Sequence, residues 1–264
     1  MLESRVSSAL LKSYVILICF LLLFPLALVL LISFDSATYI KFPPVGYNLR
    51  WYDALFRSDT FLLSVYNSLI VATVSTAIAA VFSVPASIVI ARRRFFGRDV
   101  IYALLLSSLT VPWLVFGLAV LFLWGLLDLQ LSLTTLVFAH TAIAVPYIVR
   151  TCTAVMASLP VSYEKAARNL GASPLKAFLF VTLPLMAPGL RAGCAFAFVI
   201  SMVNIPVALF LTTADNLTMP ISIFTYMAND FDPGVAAYAV IQFVLIMFCL
   251  VLASRAGRVT MAAR

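Results

Sequence analysis

Apolar residues run through this chain in six long blocks. Each is long enough to cross a bilayer core of ~30 Å as a helix of ~20 residues. The blocks fall near 14–34, 65–90, 100–126, 132–156, 180–211 and 235–254. The last is the most uniform: from Val235 to Ala253 the only strongly polar residue is Gln242. The alternating segments that a membrane β-barrel requires are absent. The pattern predicts an all-α polytopic membrane protein with six transmembrane helices, forming one membrane domain over 1–264. The first block is longer than the apolar region of a signal peptide and has no small-x-small cleavage site, so it reads as a retained anchor.

Between the fourth and fifth blocks, at about 158–178, the pattern changes. Glu164, Lys165, Arg168 and Lys176 fall within thirteen residues. At the bilayer centre they would cost about 10–14 kcal/mol together, so this segment lies in water. Tyr163, Ala166, Ala167 and Leu170 recur at i, i+3, i+4 and i+7, which puts them on one helix face. Ser162 is placed as an N-cap, and Glu164 in the first turn suits the helix dipole. Gly171 stands where a left-handed C-terminal residue belongs. Ser173 and Pro174 supply a cap and a first-turn proline for a second helix. A helix of about eight residues is marginal alone, so its small, apolar face calls for a partner.

Composition agrees: 64% of the 264 residues are hydrophobic and 10% are charged, against roughly a quarter charged in soluble proteins. Charge then orients the chain. With both termini cytoplasmic, the inside segments hold Arg5, Lys12, Arg92, Arg93, Arg94, Arg98, Arg150, Lys165, Arg168, Lys176, Arg191, Arg255, Arg258 and Arg264 against Glu3, Asp99 and Glu164. The outside loops hold Lys41, Arg50 and Arg57 against Asp35, Asp53, Asp59, Asp128, Asp215, Asp230 and Asp232. This is the asymmetry of the positive-inside rule. It accounts for the net charge of +7 without nucleic acid, and it places the 158–178 segment in the cytoplasm. Two longer outside loops, roughly 35–64 and 212–234, carry aromatic and polar clusters suited to the membrane interface or to docking. Cys19, Cys152, Cys194 and Cys249 lie in or beside apolar blocks without metal-type spacing, and read as packing residues.

The segment resembles the EAA loop of the membrane subunits of binding-protein-dependent ATP-binding-cassette importers. Ala166-Ala167, Gly171, Val181 and Leu183-Pro184 match that loop in register. Asn67-Ser68-Leu69, Pro85-Ala86, Ala91-Arg92-Arg93, Phe96-Gly97-Arg98, Pro188-Gly189 and Ala192-Gly193 are also similar to the family. The Phe42-Pro43-Pro44 and Leu49-Arg50-Trp51-Tyr52 stretches, with Val207-Ala208-Leu209-Phe210-Leu211, resemble the spermidine/putrescine-type permeases. Two departures stand out. Lys165 occupies the position of the motif glutamate, with Glu164 one place earlier, about 100° around the helix. Where polyamine permeases tend to carry an acid in the fifth span, this chain has Ser201-Met202-Val203-Asn204.

The resemblance implies a permease subunit of the inner membrane that moves a small polar solute, a polyamine or related organic amine first, or an iron, phosphonate or opine-type solute. It implies a second permease subunit (a different chain), two ATPase subunits and an extracytoplasmic binding protein as partners. ATP and Mg would be used by the ATPase subunits; this chain would bind no cofactor. It has no Walker-type phosphate loop and cannot hydrolyse ATP itself. Tyr163, Glu164, Lys165, Ala166, Ala167, Arg168, Leu170 and Gly171 would couple it to the ATPase.

Pro112, Pro146 and Pro206 fall inside expected spans and free backbone carbonyls that must find a partner or line a cavity. With Asn204, a polar side chain deep in a span, they are the candidates for the translocation pathway. His140, alone in the fourth span, reads as a structural hydrogen-bonder, and Arg150 and Arg191 as snorkelling residues. An ion-coupled secondary transporter would want internal repeats and buried ionisable residues, which the sequence does not show. A membrane scaffold would have no need of the charged cassette.

Overall fold

The computed structural model describes the backbone of residues 2–262 and the side chains of residues 11–255. Glu3, Arg5, Arg258 and Arg264, used above to orient the chain, lie outside the described side chains. The helices in chain order are α1 (Leu2–Ile32), α2 (Arg50–Phe56), α3 (Asp59–Arg92), α4 (Arg98–Leu106), α5 (Trp113–Leu126), α6 (Leu133–Ser158), α7 (Ser162–Asn169), α8 (Pro174–Ala177), α9 (Leu183–Met202), α10 (Ala208–Leu211), α11 (Met219–Asn229) and α12 (Gly234–Ala262). A 3₁₀ turn, Ser107–Leu109, extends α4. A π-helical turn, Phe178–Thr182, joins α8 to α9, making Pro174–Met202 one run of 29 residues.

Among the described residues five segments are long and apolar enough to cross a membrane: Leu11–Ile32, Asp59–Arg92, Leu133–Ser158, Pro174–Met202 and Gly234–Arg255. The expected third crossing, 100–126, is broken rather than continuous. Arg98–Leu109 and Trp113–Leu126 meet at 100°, and they make a sixth crossing only if the bent pair counts as one. The cause lies at the join. Pro112 lacks an N–H and disfavours helical backbone in the residue before it, and its own backbone is extended (φ −56°, ψ 126°). The free ends are tied off locally. Thr110 and Val111 donate their N–H groups to the Ser107 carbonyl at 2.9 and 3.1 Å, and Trp113 Nε1 donates to the Ser108 carbonyl at 3.3 Å.

The fifth expected crossing, 180–211, is also interrupted: α9 stops at Met202, and the chain turns before α10. Pro206 accounts for the interruption in the same way. The Asn204 side chain repairs it, its Oδ1 accepting the Val207 N–H at 2.9 Å.

By backbone contacts the chain separates into two units: residues up to Phe61 with Ile223–Leu245, and Leu62–Ser222 with the chain from Ile246 onward. In the first, the loop after α1 is folded around Asp35. Asp35 pairs with Tyr47, and its Oδ1 accepts the Ala37 and Val45 N–H groups at 3.1 Å each. Burial opposes the charge on Asp35, but amides of Ala37, Val45, Gly46 and Ser36 outweigh it and hold the carboxyl below its usual range. Trp51 Nε1 donates to the Asp35 carbonyl at 2.8 Å, and the Arg50 guanidinium stacks 4.2 Å from the Trp51 ring.

The second unit is organised by α6 against α9. A Cβ on Gly189 would sit 2.8 Å from the Thr151 carbonyl oxygen, and one on Gly193 2.7 Å from Ile148 Cα. The two backbones touch because these positions have no side chain. Ala144, Ile148, Cys152, Met156, Met186 and Ala197 close this seam. Ser83 and Ser87 of α3 donate to the Val145 and Val149 carbonyls of α6, each at 3.4 Å. A second cluster, including Val71, Leu136, Ile143, Val207, Ala208 and Leu211, buries one face of α10, with Leu209 left exposed.

Two outcomes follow. Gly193→Leu should lower the thermal midpoint of the purified protein, with an overpacking cost of about 1–3 kcal/mol or more, because it would meet the Ile148 backbone and a Thr151 hydroxyl already bonded to the Tyr147 carbonyl; an unchanged midpoint would mean the seam is loose. For topology, Asn216 is buried, so its exposed neighbour Asp215 is the reporter. In a cysteine-free background, Asp215→Cys should react with an impermeant thiol reagent on intact cells and Ser173→Cys should not. Labelling at both, or only at 173, would refute the charge-based orientation.

Candidate functional site

The charged cassette folds as α7, a left-handed turn and α8. Ser162 is the first helical residue rather than the cap: Val161 stands at the cap in helical backbone (φ −64°, ψ −19°) and makes no side-chain cap bond. Its carbonyl accepts the Lys165 N–H at 3.2 Å, and Pro160 ahead of it fixes where the turn begins. At the other end, Gly171 has φ +90°. The Gly171 N–H reaches the Arg168 carbonyl at 3.0 Å and the Ala172 N–H reaches Ala167 at 3.1 Å, the paired bonds of a Schellman motif. Nothing lies within 4 Å of a Cβ built on Gly171, so the backbone conformation alone demands glycine there. Ser173 caps α8, its Oγ accepting the Lys176 N–H at 3.3 Å.

Among the described residues the helix face read from the sequence is left largely uncovered. Tyr163 is 52% and Leu170 90% exposed; Ala166 is exposed and Ala167 half-buried, and no residue of α7 is buried. Among the described residues no ion pair engages the side chains of Glu164, Lys165 or Arg168. The cassette is nonetheless firmly joined to α9. Pro184 has no N–H and its ring would strike the Phe180 carbonyl in an α-helix. The chain passes it with the wider π turn, in which the Leu183 N–H bonds to the Phe178 carbonyl.

The pathway candidates fall in three places. Pro146 lies inside α6 and is buried. Pro112 sits at the 100° break before α5, and Pro206 in the turn before α10, where its carbonyl lies against Gly117 of α5. Asn204 is 1% exposed, and its Nδ2 is buried with no partner among the described residues. In this conformation it faces no open path.

Other polar contacts join segments that sequence reading did not connect. His140 Nδ1 is 2.7 Å from Ser201 Oγ, which makes the expected structural hydrogen bond between α6 and α9. Asn67 Nδ2 donates to the Asp215 and Leu217 carbonyls at 3.3 and 3.0 Å, and Ser68 Oγ accepts the Met219 N–H at 2.7 Å. Asn216 closes the loop, bonding the Thr213 N–H and the Leu211 carbonyl. The Asn67-Ser68 pair was visible as a motif; its partners, some 150 residues away, were not. An apolar cavity of about 810 Å³ opens between α3, α9 and α12, with Thr73, Thr76, Arg191 and Ser254 as its polar lining.

Comparison with known proteins gives this geometry a family. The model of the binding-protein-dependent transport system inner membrane component matches residues 83–257. Over 222 residues the chain is 28% identical to the spermidine/putrescine transport system permease protein PotC of Escherichia coli (strain K12), covering 84% of this chain and 83% of that protein. Over 184 residues it is 32% identical to a probable molybdenum ABC transporter permease protein of Haloferax volcanii, covering 66% and 68%. A crystal structure of a bacterial ABC transporter involved in import of the acidic polysaccharide alginate shares the fold, with a TM-score of 0.73 over 96% of this chain and 97% of that one, at 15% identity. The family match takes in α6, the cassette and α9 together, and the chain belongs to the binding-protein-dependent transport system inner membrane components, as a multi-pass protein of the inner membrane.

Proposed function

We propose that this chain is one of two permease subunits of an ATP-driven importer, and that its solute is a polyamine or related organic amine. The observation that carries the coupling role is the bare apolar face of α7, held at a fixed angle by the Schellman turn and fused through the π turn to a membrane-crossing helix. A face on which Tyr163, Ala166 and Leu170 are exposed and Ala167 half-buried fits the groove of a separate ATPase subunit, with Glu164, Lys165 and Arg168 at its rim. An extracytoplasmic binding protein would deliver solute from the opposite side. The amine reading rests on the similarity to PotC. An oxyanion is the second reading: the molybdenum permease is as similar over a shorter stretch, and Ser201-Met202-Val203-Asn204 offers no carboxylate to a polycation.

Uptake by the reconstituted importer separates these. Labelled putrescine or spermidine should accumulate with ATP and not be displaced by molybdate; molybdate uptake without amine uptake would reverse the assignment. Gly171→Val forces a β-branched residue into left-handed backbone at a cost of about 1–2 kcal/mol. It should leave membrane insertion normal but weaken co-purification of the ATPase or uncouple its turnover from uptake. Gly171→Asn, which tolerates that backbone, should transport near the wild-type rate. Equal transport by Gly171→Val would reduce the cassette to a loop.

Asn204 has its own test. Asn204→Leu removes both the cap on Val207 and the free amide; Asn204→Asp keeps the acceptor. If the residue belongs to the pathway, both variants should alter uptake while retaining assembly. If it only caps the turn, Asn204→Asp should transport normally.

A further inference from the structure

The loop joining α3 to α4 carries the densest positive charge in the chain, Arg92, Arg93, Arg94 and Arg98 against Asp99 alone. It begins where the apolar crossing Asp59–Arg92 ends, so it lies at the depth of the lipid headgroups whichever face of the membrane it occupies. Phe96 is fully exposed and Phe95 is 39% exposed, leaving two rings uncovered beside the arginines. Gly97, at φ +81°, folds the chain back. Arg98 Nε is then fixed on the Ile90 carbonyl at 2.8 Å. The result is a depression of about 420 Å³ lined by Arg94, Phe95, Gly97, Arg98, Asp99 and Val100.

The charge here is not neutralised from within. Arg98 Nη1 is 3.8 Å from Asp99 Oδ1, and the Asp99 side chain is 93% exposed; such a pair contributes little. Arg93 and Arg94 make no ion pair among the described residues. Arg92 Nε and Nη1 are buried with no acceptor among them, and a buried, unpaired donor is costly. Guanidinium groups match phosphate oxygens in paired hydrogen bonds, and the first turn of α4 has no side-chain cap competing for its N–H groups.

We infer that this loop binds the phosphate headgroup of an anionic phospholipid, with Arg94 and Arg98 in the depression, Arg92 and Arg93 flanking it, and Phe95 and Phe96 at the acyl boundary. The exposed rings and the position at a span's end favour a lipid over a free anion, because rings at this depth gain from the interface. The inference stands apart from the identity of the solute.

The test is native mass spectrometry of the purified full-length chain, titrated with dioleoyl phosphatidylglycerol and with dioleoyl phosphatidylcholine. Wild type should bind phosphatidylglycerol in preference. The double variant Arg93→Gln/Arg94→Gln should lose that preference by about fivefold per arginine, the factor equivalent to ~1 kcal/mol each, with its lipid-free melting midpoint unchanged. Phe96→Ser should weaken phosphatidylglycerol binding with all four arginines in place. Equal binding of the two lipids by wild type, or equal phosphatidylglycerol binding by wild type and double variant, would overturn the proposal. So would inorganic phosphate stabilising wild type and displacing the lipid, since the ligand would then be a free anion.

Discussion

A backbone amide left without a partner in hydrocarbon costs about 2–7 kcal/mol, and no water is present to relieve it. Every irregularity in a chain of this hydropathy must therefore bring its own hydrogen bonds, and the structure is ordered around three that do. At Pro112 the Ser107 carbonyl takes two N–H groups and Trp113 returns to Ser108. At Pro206 the Asn204 side chain stands in for a missing helical acceptor. At Pro184 the ladder widens instead of breaking, and the helix continues. The same residue type gives a right-angle bend, a stop and a bulge, depending on which polar group lies within reach.

The α6–α9 seam depends on those solutions. Lipid offers no hydrophobic drive for two apolar helices to associate, so close packing and interhelical hydrogen bonds must hold them. Gly189 and Gly193 let α9 lie directly on the turn containing Ile148 and Thr151. Near the far end of that contact, His140 and Ser201 add a hydrogen bond. Serine does similar work on α3, where Ser83 and Ser87 reach carbonyls of α6. Small residues and hydroxyls along this contact are what make unit two a fixed body rather than a loose set of spans.

Much of this was legible in the sequence. Apolar block length found the crossing segments, because the bilayer sets one length for all of them. Gly171 was legible because a glycine after a short amphipathic run has one common use, and the Ser173-Pro174 start likewise. The breaks were not. A hydropathy window over 100–126 or 180–211 sees only apolar residues, and Pro146 shows why proline does not decide the matter: it sits inside an intact α6. What separates Pro146 is tertiary support: the Ala142 carbonyl that it frees accepts the Ser108 hydroxyl at 3.2 Å. Ser162 was misplaced as a cap because its chemistry outranked the turn that Pro160 imposes just before it. The partners of Asn67 and His140 lie too far along the chain for any spacing rule to show.

One helical run connects the two halves of the proposed mechanism. Pro174–Met202 has 29 residues, about 43 Å at 1.5 Å per residue. α7 precedes one end across the Gly171 turn, and Asn204 follows the other. Gly189, where α9 is pressed against α6, divides the run into arms of about 22 Å and about 20 Å. A rigid rod held near its middle returns a displacement at one end as a similar displacement at the other, in the opposite sense. Movement of α7 by an ATPase would thus reach the Asn204 turn with little gain or loss. The π turn at Phe178–Thr182 is where the hydrogen-bond ladder of that rod widens. It lies close to α7, before the seam, so a loss of transmission at that turn would leave the arm beyond Gly189 to move as one piece.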